Sequence, residues 1–516
     1  MSASVQPVKS LMRGGQFVAG VRVADYRSEI RDSDITALED KVTRSSYHKY
    51  LKRLTLKKVR GFKDREISFD FPVTALIGPN GGGKTTVLGA AGLIYASVPP
   101  RRFFAKSGKY DSSMKDWSVE YELIDRDVNK RIPISRVANF KQAKWNRTAV
   151  ERQVLIFGVE RTVPATERKD LTKAVGGSFV AASEVALTPA VAGHVAAILG
   201  KSIEGYNRLS VDRAGRITIF AGRTSGGDQY SEFHFGAGEA SIIRIVSAIE
   251  EASDGTMILI EEIENGLHPV ATRRVVEYLI DVAARKSCQV IFTTHSNDAL
   301  APLPARAIWA AYSGEVLQGK LDIAALRTIT GQIDAKLAIF VEDSFAELMV
   351  TSALRVLGDV EIDAIKIHAM GGAGPAIKVN EQHNIDPTST FPSVCLLDGD
   401  QAELADDVKR VFLLPGSTLP ESYVFSRVLD RIDVVAARLT AAMQLPLGRQ
   451  EAVKQVVQQR ALTNRDRHVI WEQIGEDLDF TAGFIVASAF LAVWGQEYPQ
   501  EVQELVGKFV DLVPKR

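Results

Sequence analysis

A glycine-rich segment between a strand-like run and a helix-like run offers the clearest chemistry in the chain. It follows the apolar run 73–77, precedes the helix-like run 87–95, and fits the GxxxxGK[ST] pattern. Its residues are Gly78, Pro79, Asn80, Gly81, Gly82, Gly83, Lys84, Thr85 and Thr86. Glycines let the backbone close around phosphate oxygens, and the following helix presents N–H groups and a positive dipole end. Lys84 is therefore predicted to bridge the β- and γ-phosphates of ATP, and Thr85 to offer its hydroxyl to Mg²⁺.

Two adjacent carboxylates follow a second apolar strand. Residues 257–260 are all apolar, and Glu261 and Glu262 come directly after them. A buried parallel strand delivers such acids to the carboxyl edge of a sheet, where α/β folds bind ligands. Glu261 is the candidate for holding the hydrated Mg²⁺, and Glu262 is the candidate base that orients the attacking water.

Two further segments fit the same edge. His295 lies near the end of the strand-like segment 291–296, where it suits a sensor of the γ-phosphate, and the segment 264–269, with its Leu-His-Pro sequence, precedes that strand. Upstream, Gly236, Gly238 and Glu239 open the helix-like stretch 242–252. Glycines and a glutamate at a helix start also suit a simple cap. Their place before the acidic strand favours a signature loop instead.

The order of these motifs resembles the ABC-type ATPases of the SMC/OLD group. The opening segment Arg60-Gly61-Phe62-Lys63, between strands expected at 53–59 and 65–71, is similar to the first hairpin of those heads. The resemblance implies that Gly236, Gly238 and Glu239 of one subunit cover the nucleotide of another, so a homodimer or higher homo-oligomer is expected. Family signatures usually carry a serine, whereas this chain has Gly236 and Ala237.

A second set of acids lies near residue 340 and beyond. A strand-like run ends in Glu342, the helix-like run 344–357 follows, and a later strand over 391–397 ends in Asp398-Gly399-Asp400. A βαβ order places such acids on one edge of a parallel sheet. Clustered carboxylates repel one another unless cations neutralise them, so Mg²⁺ or Mn²⁺ is the expected occupant. Such a site could activate water beside a phosphodiester.

This arrangement resembles a TOPRIM domain, and an ABC-type head followed by TOPRIM is the layout of OLD-family nucleases. The resemblance implies metal binding by Glu342, Asp398 and Asp400, with Glu347 and Glu421 as further candidate ligands. Asp343 stands where the family has glycine, and Glu347 lies five residues after Glu342 where many members have four. Related ATPases serve anti-phage systems such as Septu, PARIS and retrons.

Composition narrows the class of protein. The 516 residues carry 63 Lys and Arg against 63 Asp and Glu, so there is no global basic field for nucleic acid. DNA contact is expected from a local basic patch, and the candidate residues are Arg101, Arg102, Lys106, Lys109 and Lys115, or Lys141, Lys144 and Arg147. Cys288 and Cys395 lie in apolar runs and are expected to be buried free thiols. No window suits secretion or a membrane span, which predicts a cytoplasmic protein.

The pattern predicts an α/β fold in four regions. They are an N-terminal arm over 1–48, an ATPase head over 49–330 with a compact lid or dimerisation insert at about 100–230, a TOPRIM-like domain over 335–425, and a helical region over 426–516. In the insert we expect strands over 117–124, 154–159 and 208–221 and an Ala-rich helix over 184–199, with no long coiled coil. Residues 321–330 are expected to connect the head to the next domain. In the last region, Asp466 and His468 are interpreted as a helix cap with a surface histidine, the alternative being that they reach the acidic site.

Two functions remain open from the sequence. The first is an ATP-regulated, metal-dependent DNA endonuclease of the OLD type in anti-phage defence. The second is an ATPase sensor and scaffold whose inactive TOPRIM-like region holds a separate effector encoded nearby. A DNA-repair ATPase is a third interpretation, disfavoured by the missing coiled coil.

Overall fold

A computed structural model describes residues 30–142, 144–174, 179–223, 227–319, 325, 335–386 and 389–515. In chain order its strands are β1 (Lys49–Val59), β2 (Phe62–Ser68), β3 (Val73–Ile77), β4 (Ser118–Asp125), β5 (Ile134–Lys141), β6 (Lys144–Arg147), β7 (Val154–Phe157), β8 (Ser183–Ala186), β9 (Asn207–Ser210), β10 (Thr218–Arg223), β11 (Gln229–Ser231), β12 (Met257–Ile260), β13 (Gln289–Thr293), β14 (Ile308–Tyr312), β15 (Glu315–Gln318), β16 (Leu337–Val341), β17 (Ile365–Ala369), β18 (Ser393–Leu397) and β19 (Val411–Leu413). The helices are α1 (Asp32–Thr43), α2 (Lys84–Leu93), α3 (Pro189–Leu199), α4 (Ala237–Glu251), α5 (Pro269–Lys286), α6 (Asn297–Leu300), α7 (Ser344–Leu357), α8 (Ala373–Ile385), α9 (Pro420–Asp430), α10 (Ile432–Ala442), α11 (Gln450–Thr463), α12 (Ile470–Asp477), α13 (Gly483–Glu497) and α14 (Pro499–Gly507). The predicted α/β class, with mixed sheets and a helical C-terminal region, is confirmed.

The head is built on a six-stranded sheet in the order β15-β14-β3-β13-β12-β7. Its strands pair in parallel except for β15, which is antiparallel to β14. Every residue of β3, β12, β13 and β14 is buried, as expected for parallel strands covered on both faces. The chain therefore brings the segments after β3, β12 and β13 to one carboxyl edge.

The region predicted as a compact lid is divided among three sheets. An antiparallel sheet in the order β2-β1-β4-β5-β6 joins the opening hairpin to residues 118–147. β7 leaves this region and becomes an edge strand of the central sheet, while β11-β10-β9-β8 form a separate four-stranded sheet.

One strand and one helix of this region differ from expectation. Residues 208–221 form a hairpin of β9 and β10 with Gly215 at φ 66° in its turn, not a single strand. The helix expected from 184 begins only at Pro189, because the Thr188 side chain caps it and Pro189 fits its first turn.

The start of the chain also differs from expectation. Within the predicted arm, residues 32–43 form α1, whose Leu38 is buried in the head core. Glu39 pairs with Arg306 at 3.1 Å, and Lys41 donates to Ser287 at 2.7 Å. Residues 1–29, and the predicted connection 321–330 apart from Ala325, lie outside the described residues.

The second unit is a parallel four-stranded sheet in the order β17-β16-β18-β19. One face packs with α7 and the C-terminal helices in a single core that includes Leu337, Phe345, Trp471 and Phe490. The predicted boundary at 425 falls inside α9. This second sheet and the helical region therefore share one hydrophobic core.

The other face of this sheet packs against the head. Phe340 and Val379 belong to the same buried cluster as Tyr312 of β14. The Tyr312 hydroxyl donates to Gln382 of α8, and Lys378 donates to the carbonyl of Val316 at 3.4 Å. The second unit is thus joined to the strand that neighbours β3.

Two smaller expectations concern cysteines and membranes. Cys288 and Cys395 are both buried free thiols, as predicted, and burial raises the pKa of each thiol. Among the helices that the structure describes, each is too short or too polar to cross a bilayer.

Candidate nucleotide and metal sites

A cavity of about 780 Å³ opens at the carboxyl edge of the central sheet. The P-loop from Asn80 to Thr86 lines one side, and Glu261 and Glu262 line another. The hairpin segment Arg60–Phe62 and the turn at Ser313 and Gly314 complete the wall. The structure therefore brings the P-loop and both carboxylates together, as the parallel-edge argument requires.

Lys84 is buried at the start of α2, with 7% of its surface exposed. Its ammonium donates to the carbonyl oxygens of Gly78 at 2.9 Å and Pro79 at 3.0 Å. Burial lowers the Lys84 pKa, while the charges of Glu262 and Glu264 oppose that shift. An ammonium has three donors, so one remains for a phosphate.

At two positions of the loop, neighbouring atoms approach the backbone so closely that glycine is favoured. Gly78 has φ 152°, and a Cβ there would lie 2.1 Å from the carbonyl oxygen of Ala311. Gly83 has φ 106° at the N-cap of α2, where a Cβ would lie 2.4 Å from the Phe62 ring. A Cβ at Gly78 would collide with backbone, and one at Gly83 would displace the Phe62 ring at a φ that other residues rarely adopt, so both positions strongly favour glycine.

An arginine outside every motif holds the two carboxylate residues. Arg161 follows β7 and donates to the backbone carbonyl oxygens of Glu261 and Glu262, both at 2.6 Å. Glu262 has φ 45°, its amide donates to Thr293 at 2.8 Å, and its carboxylate accepts from Asn265 at 2.9 Å. Burial raises the pKa of Glu261, and the nearby Glu160 adds to the rise. Arg161 carries no sequence signal, since a lone arginine after a strand is common.

His295 is placed by Glu264. Its amide donates to one Glu264 carboxylate oxygen at 2.6 Å, while the Thr294 hydroxyl donates to the other at 2.7 Å. Thr293 lines the cavity, whereas His295, among the described residues, is not part of that lining. Arg60, which the sequence pattern assigns only to the hairpin, lines the cavity and donates to the Thr86 hydroxyl at 2.7 Å.

The three signature residues have different surroundings. Gly236 is the N-cap of α4, with φ −64° and nothing within 4 Å of the position that a Cβ would take. Gly238 lies against Gly266 of the same chain. Glu239 accepts from the Tyr206 hydroxyl at 2.9 Å and pairs with Lys201 at 2.7 Å. Of these three residues, Gly236 is therefore the one with open surroundings.

The second acidic edge brings Glu342 and Asp398 into contact. They follow the neighbouring strands β16 and β18, and the Asp398 amide donates to Glu342 at 2.8 Å. Asp398 is 6% exposed, and its Oδ1 has no hydrogen-bond partner among the described residues. Burial raises the Asp398 pKa to about 8, and the charges of Glu342, Asp343, Glu421 and Asp400 add to it. Asp400 is exposed beside Gln401.

Glu421 reaches the same edge from α9. It is 3% exposed, its Oε2 has no partner in the described part of the chain, and burial raises its pKa. His468 lies at the surface, as interpreted, with its side chain 54% exposed, but it also reaches the acidic edge, because its Nδ1 lies 3.1 Å from Glu421 Oε1. The predicted cap is correct, since Asp466 accepts from the His468 amide at 3.0 Å. Glu347 lies in the first turn of α7.

Buried carboxylate oxygens without donors are the surroundings that a divalent cation satisfies. The acids therefore fit Mg²⁺ or Mn²⁺, for which Glu342, Asp398 and Asp400 are the predicted ligands. Asp343, next to Glu342, is not among the predicted ligands. Its carboxylate caps α7 by accepting from the Ala346 amide at 2.8 Å.

The predicted basic patches are only partly available to DNA. Arg102 pairs with Glu160, and Arg147 donates to the carbonyl oxygens of Tyr95 at 3.1 Å and Val98 at 2.9 Å. Lys141 and Lys144 are exposed at the end of the β5–β6 hairpin. Of the predicted DNA-contact residues on this sheet, Lys141 and Lys144 are therefore the exposed ones.

Comparisons with known proteins bear most directly on the assignment of the head as an ATPase domain. Residues 101–301 match the family described as "AAA domain, putative AbiEii toxin, Type IV TA system". A 101-residue stretch is 33% identical to an OLD nuclease of Thermus scotoductus, covering 19% of this chain and 17% of that protein. The chain thus matches about a sixth of that relative's length. These matches support an ATPase domain with weak similarity to an OLD nuclease.

Solved structures of ATPase heads are also similar to this chain. An SMC head domain from Thermotoga maritima is 13% identical with a TM-score of 0.34, covering 52% of this chain and 99% of its own. An SMC head domain from Pyrococcus furiosus is 11% identical with a TM-score of 0.36, covering 55% and 99%. The recombination mediator RecF with ATP is 14% identical with a TM-score of 0.33, covering 53% and 98%.

Proposed function

We propose that this protein binds and hydrolyses ATP at the cavity between the P-loop and β12. The observation that carries the proposal is the convergence of Lys84, Glu261 and Glu262 on one cavity. Lys84 would hold the β- and γ-phosphates, and Thr85 with Glu261 would hold Mg²⁺. Glu262 would orient the attacking water, since Asn265 fixes its carboxylate. His295 would sense the γ-phosphate through a strand end that Glu264 positions.

ATP is further proposed to join two heads in a homodimer or higher homo-oligomer. The support is the open position of Gly236 at the N-terminus of α4, where backbone N–H groups and the helix dipole favour an anion. Gly238 and Glu239 would shape this end of α4 from within their own chain, through Gly266 and Lys201.

For the second site we propose metal-dependent DNA cleavage of the OLD type. Its support is the cluster of Glu342, Asp398 and Glu421 with two unpartnered buried oxygens among the described residues, together with the similarity to an OLD nuclease. A divalent cation held there would activate water and neutralise a phosphodiester. The chain's own acids would orient that cation on a rigid sheet edge. A role in anti-phage defence follows from the family resemblance alone.

ATP would regulate this site through the contact between the two units. Gly78 of the P-loop lies against Ala311, and the next residue, Tyr312, donates to Gln382 of α8. Because α8 packs on the sheet that carries Glu342 and Asp398, a shift of β14 would reach the acidic edge. This short physical connection supports the ATP-regulated proposal.

The alternative is an ATPase scaffold that holds a separate effector and cuts nothing. One observation favours it: Asp343, in place of the family glycine, caps α7 instead of leaving that turn open. A neighbouring gene for a nuclease or reverse transcriptase would favour this alternative.

Cleavage by the purified full-length protein separates the two functions. With Mg²⁺ or Mn²⁺, and with or without ATP, the nuclease proposal expects duplex or single-stranded DNA to be cut. Asp398→Ala and Glu342→Ala should each abolish cleavage and leave ATP hydrolysis nearly unchanged, because the head's own groups hold its Mg²⁺. Asp359→Ala, at an exposed acid remote from the edge, is the matched control.

Two outcomes would contradict the nuclease proposal. Wild-type protein that cuts no DNA with either metal would favour the scaffold. Cleavage that persists in a contaminant-free Asp398→Ala, Asp400→Ala double variant would place the active site elsewhere.

A further inference from the structure

Beside the TOPRIM-like acids lies a second group of candidate ligands. Asp343, Glu421 and His468 each place one ligand atom within 4.8 Å of the other two. Three elements deliver them: the N-cap of α7, the first turn of α9, and the short turn Arg467–Val469. Ligand atoms that share a metal at about 2.1 Å lie about 3–4 Å apart, so this spacing fits a single cation.

Independent of this spacing, Glu421 of this group and the neighbouring Asp398 each carry a buried oxygen that lacks a donor in the described part of the chain. Glu421 Oε2 and Asp398 Oδ1 have no hydrogen-bond partner among the described residues, although these side chains are only 3% and 6% exposed. An unpaired buried carboxylate is costly, and a cation beside these oxygens would offset that cost.

We propose that Asp343, Glu421 and His468 bind a divalent first-row transition metal beside the site predicted at Glu342, Asp398 and Asp400. Imidazole nitrogen suits transition metals, whereas Mg²⁺ and Ca²⁺ prefer all-oxygen ligands. Mn²⁺ accepts both kinds of ligand and is the probe of choice. This inference extends the proposed nuclease site. The purpose of the metal rests on the proposed nuclease function, but its binding does not, because metal binding is measured without DNA.

The surroundings of the three ligands suit a metal centre. The Ala346 amide donates to Asp343 at 2.8 Å and so orients its carboxylate. His468 Nδ1 faces Glu421 Oε1 at 3.1 Å, and a metal would replace the proton between them. The His468 side chain is 54% exposed, which gives a cation a path from solvent. His468 comes from the helical C-terminal region, so that region completes the site.

Mn²⁺ binding to the nucleotide-free full-length protein tests the proposal. Titration calorimetry with MnCl₂ should show binding, and pulsed electron paramagnetic resonance should show nitrogen modulation from an imidazole ligand. His468→Gln should weaken Mn²⁺ binding by about tenfold or more and remove the nitrogen modulation, with Mg²⁺ binding unchanged. His48→Gln, at an exposed histidine on the head, is the matched control and should retain both signals.

The result that overturns the inference is nitrogen modulation that is absent from the wild type or survives in His468→Gln. Because His468 is largely exposed, its variant is expected to fold, which circular dichroism checks. Protein that shows the modulation but cuts no DNA would support this inference and contradict the nuclease proposal. Protein that cuts DNA while His468→Gln binds Mn²⁺ normally would support the nuclease proposal and contradict this inference.

Discussion

The Cα atom of Gly238 lies directly against the backbone carbonyl of Gly266. A Cβ at 238 would be 2.0 Å from that oxygen, and Gly266 itself has φ 75°. The start of α4 and the turn after Glu261 and Glu262 are therefore in backbone contact within one chain. A substitution at Gly238 would disturb its own subunit before it met a partner.

Gly236 and Gly238 are consequently expected to respond differently to substitution. Gly238→Ala should lower the free energy of unfolding by roughly 1–3 kcal/mol, because the methyl group overpacks the contact with Gly266. Gly236→Arg should leave stability and ATP binding unchanged, since its φ of −64° suits any residue and its surroundings are open. Urea denaturation and nucleotide titration measure these effects.

The same Gly236 variant tests the dimer. In a Glu262→Gln background, where hydrolysis is blocked, ATP should produce a dimer that size-exclusion chromatography with light scattering detects. Adding Gly236→Arg should suppress that dimer, since the long side chain obstructs the partner's nucleotide. An ATP-dependent dimer that forms equally well with Gly236→Arg would rule out nucleotide contact at this helix end.

The residues at strand ends could be predicted because they belong to contiguous motifs. Contacts between distant segments of the chain could not be predicted. Lys84, Glu261 and Glu262 follow apolar strands, and parallel strands bring their carboxyl ends to one edge regardless of the loops between them. The Glu342–Asp398 contact followed from the same rule. No such rule applies to Arg161 or to the His468–Glu421 contact, which depends on how the C-terminal helices pack.

Where the helices and strands begin and end depended on local cap and turn residues as well as on periodicity. Residues 184–199 have helical composition, but Thr188 and Pro189 form a start signal that outweighs it, and Ser183–Ala186 instead pairs with β9. The break between β9 and β10 was visible only in the turn residues Asp212 to Gly215. Residues 32–43 form α1 although their pattern is weakly amphipathic, because Leu38 packs into a core supplied by the head.

Glu261 and Glu262 are expected to have separable roles. Glu262→Gln should lower kcat for ATP about 10²–10⁴-fold while ATP binding persists, because only the water-orienting carboxylate is lost. Glu261→Gln should mainly raise the Mg²⁺ concentration needed for half-maximal turnover. Steady-state kinetics over a Mg²⁺ series distinguishes them. Normal turnover by Glu262→Gln would move the base to Glu261 or Glu264.

Lys84→Ala is expected to weaken ATP binding about 10–100-fold. The reason is the loss of a charge-assisted hydrogen bond to phosphate, worth roughly 1.5–3 kcal/mol. Titration calorimetry with a slowly hydrolysed ATP analogue gives the affinity. Lys130→Ala, at an exposed lysine far from the cavity, should bind as the wild type does. Equal affinities for the two variants would show that the loop does not bind phosphate through Lys84.

Arg161→Met should lower kcat roughly 10–100-fold with a small effect on the KM for ATP. Without the guanidinium, the Glu261 carbonyl loses the Arg161 donor and the Glu262 carbonyl keeps only the Asn265 amide at 3.0 Å, so the backbone that aims the carboxylates can shift. Steady-state kinetics gives both constants, and Arg216→Met, whose side chain is 85% exposed, is the control. A larger change in KM than in kcat would mean that Arg161 acts on nucleotide binding instead.

His383 is expected to make the stability of the second unit depend on pH. Its side chain is 1% exposed, Nε2 contacts the Phe391 carbonyl at 3.0 Å, and Nδ1 has no partner among the described residues. Burial lowers the His383 pKa in the folded protein, although the Phe391 contact and Asp386 oppose the shift. The unfolded chain therefore takes up a proton below a pH of about 6.5 that the folded chain does not.

Because the folded pKa is depressed, the stabilising effect is present above about pH 6.5 and is lost as the pH falls toward the folded value. The loss should approach about 1.4 kcal/mol for each pH unit in that window. Urea denaturation between pH 7.5 and 5.5 measures it, with circular dichroism as the signal. His383→Gln should flatten the His383 part of this dependence, whereas His234→Gln, at an exposed histidine, should leave the wild-type slope. A wild-type slope retained in His383→Gln would assign the pH dependence to another group.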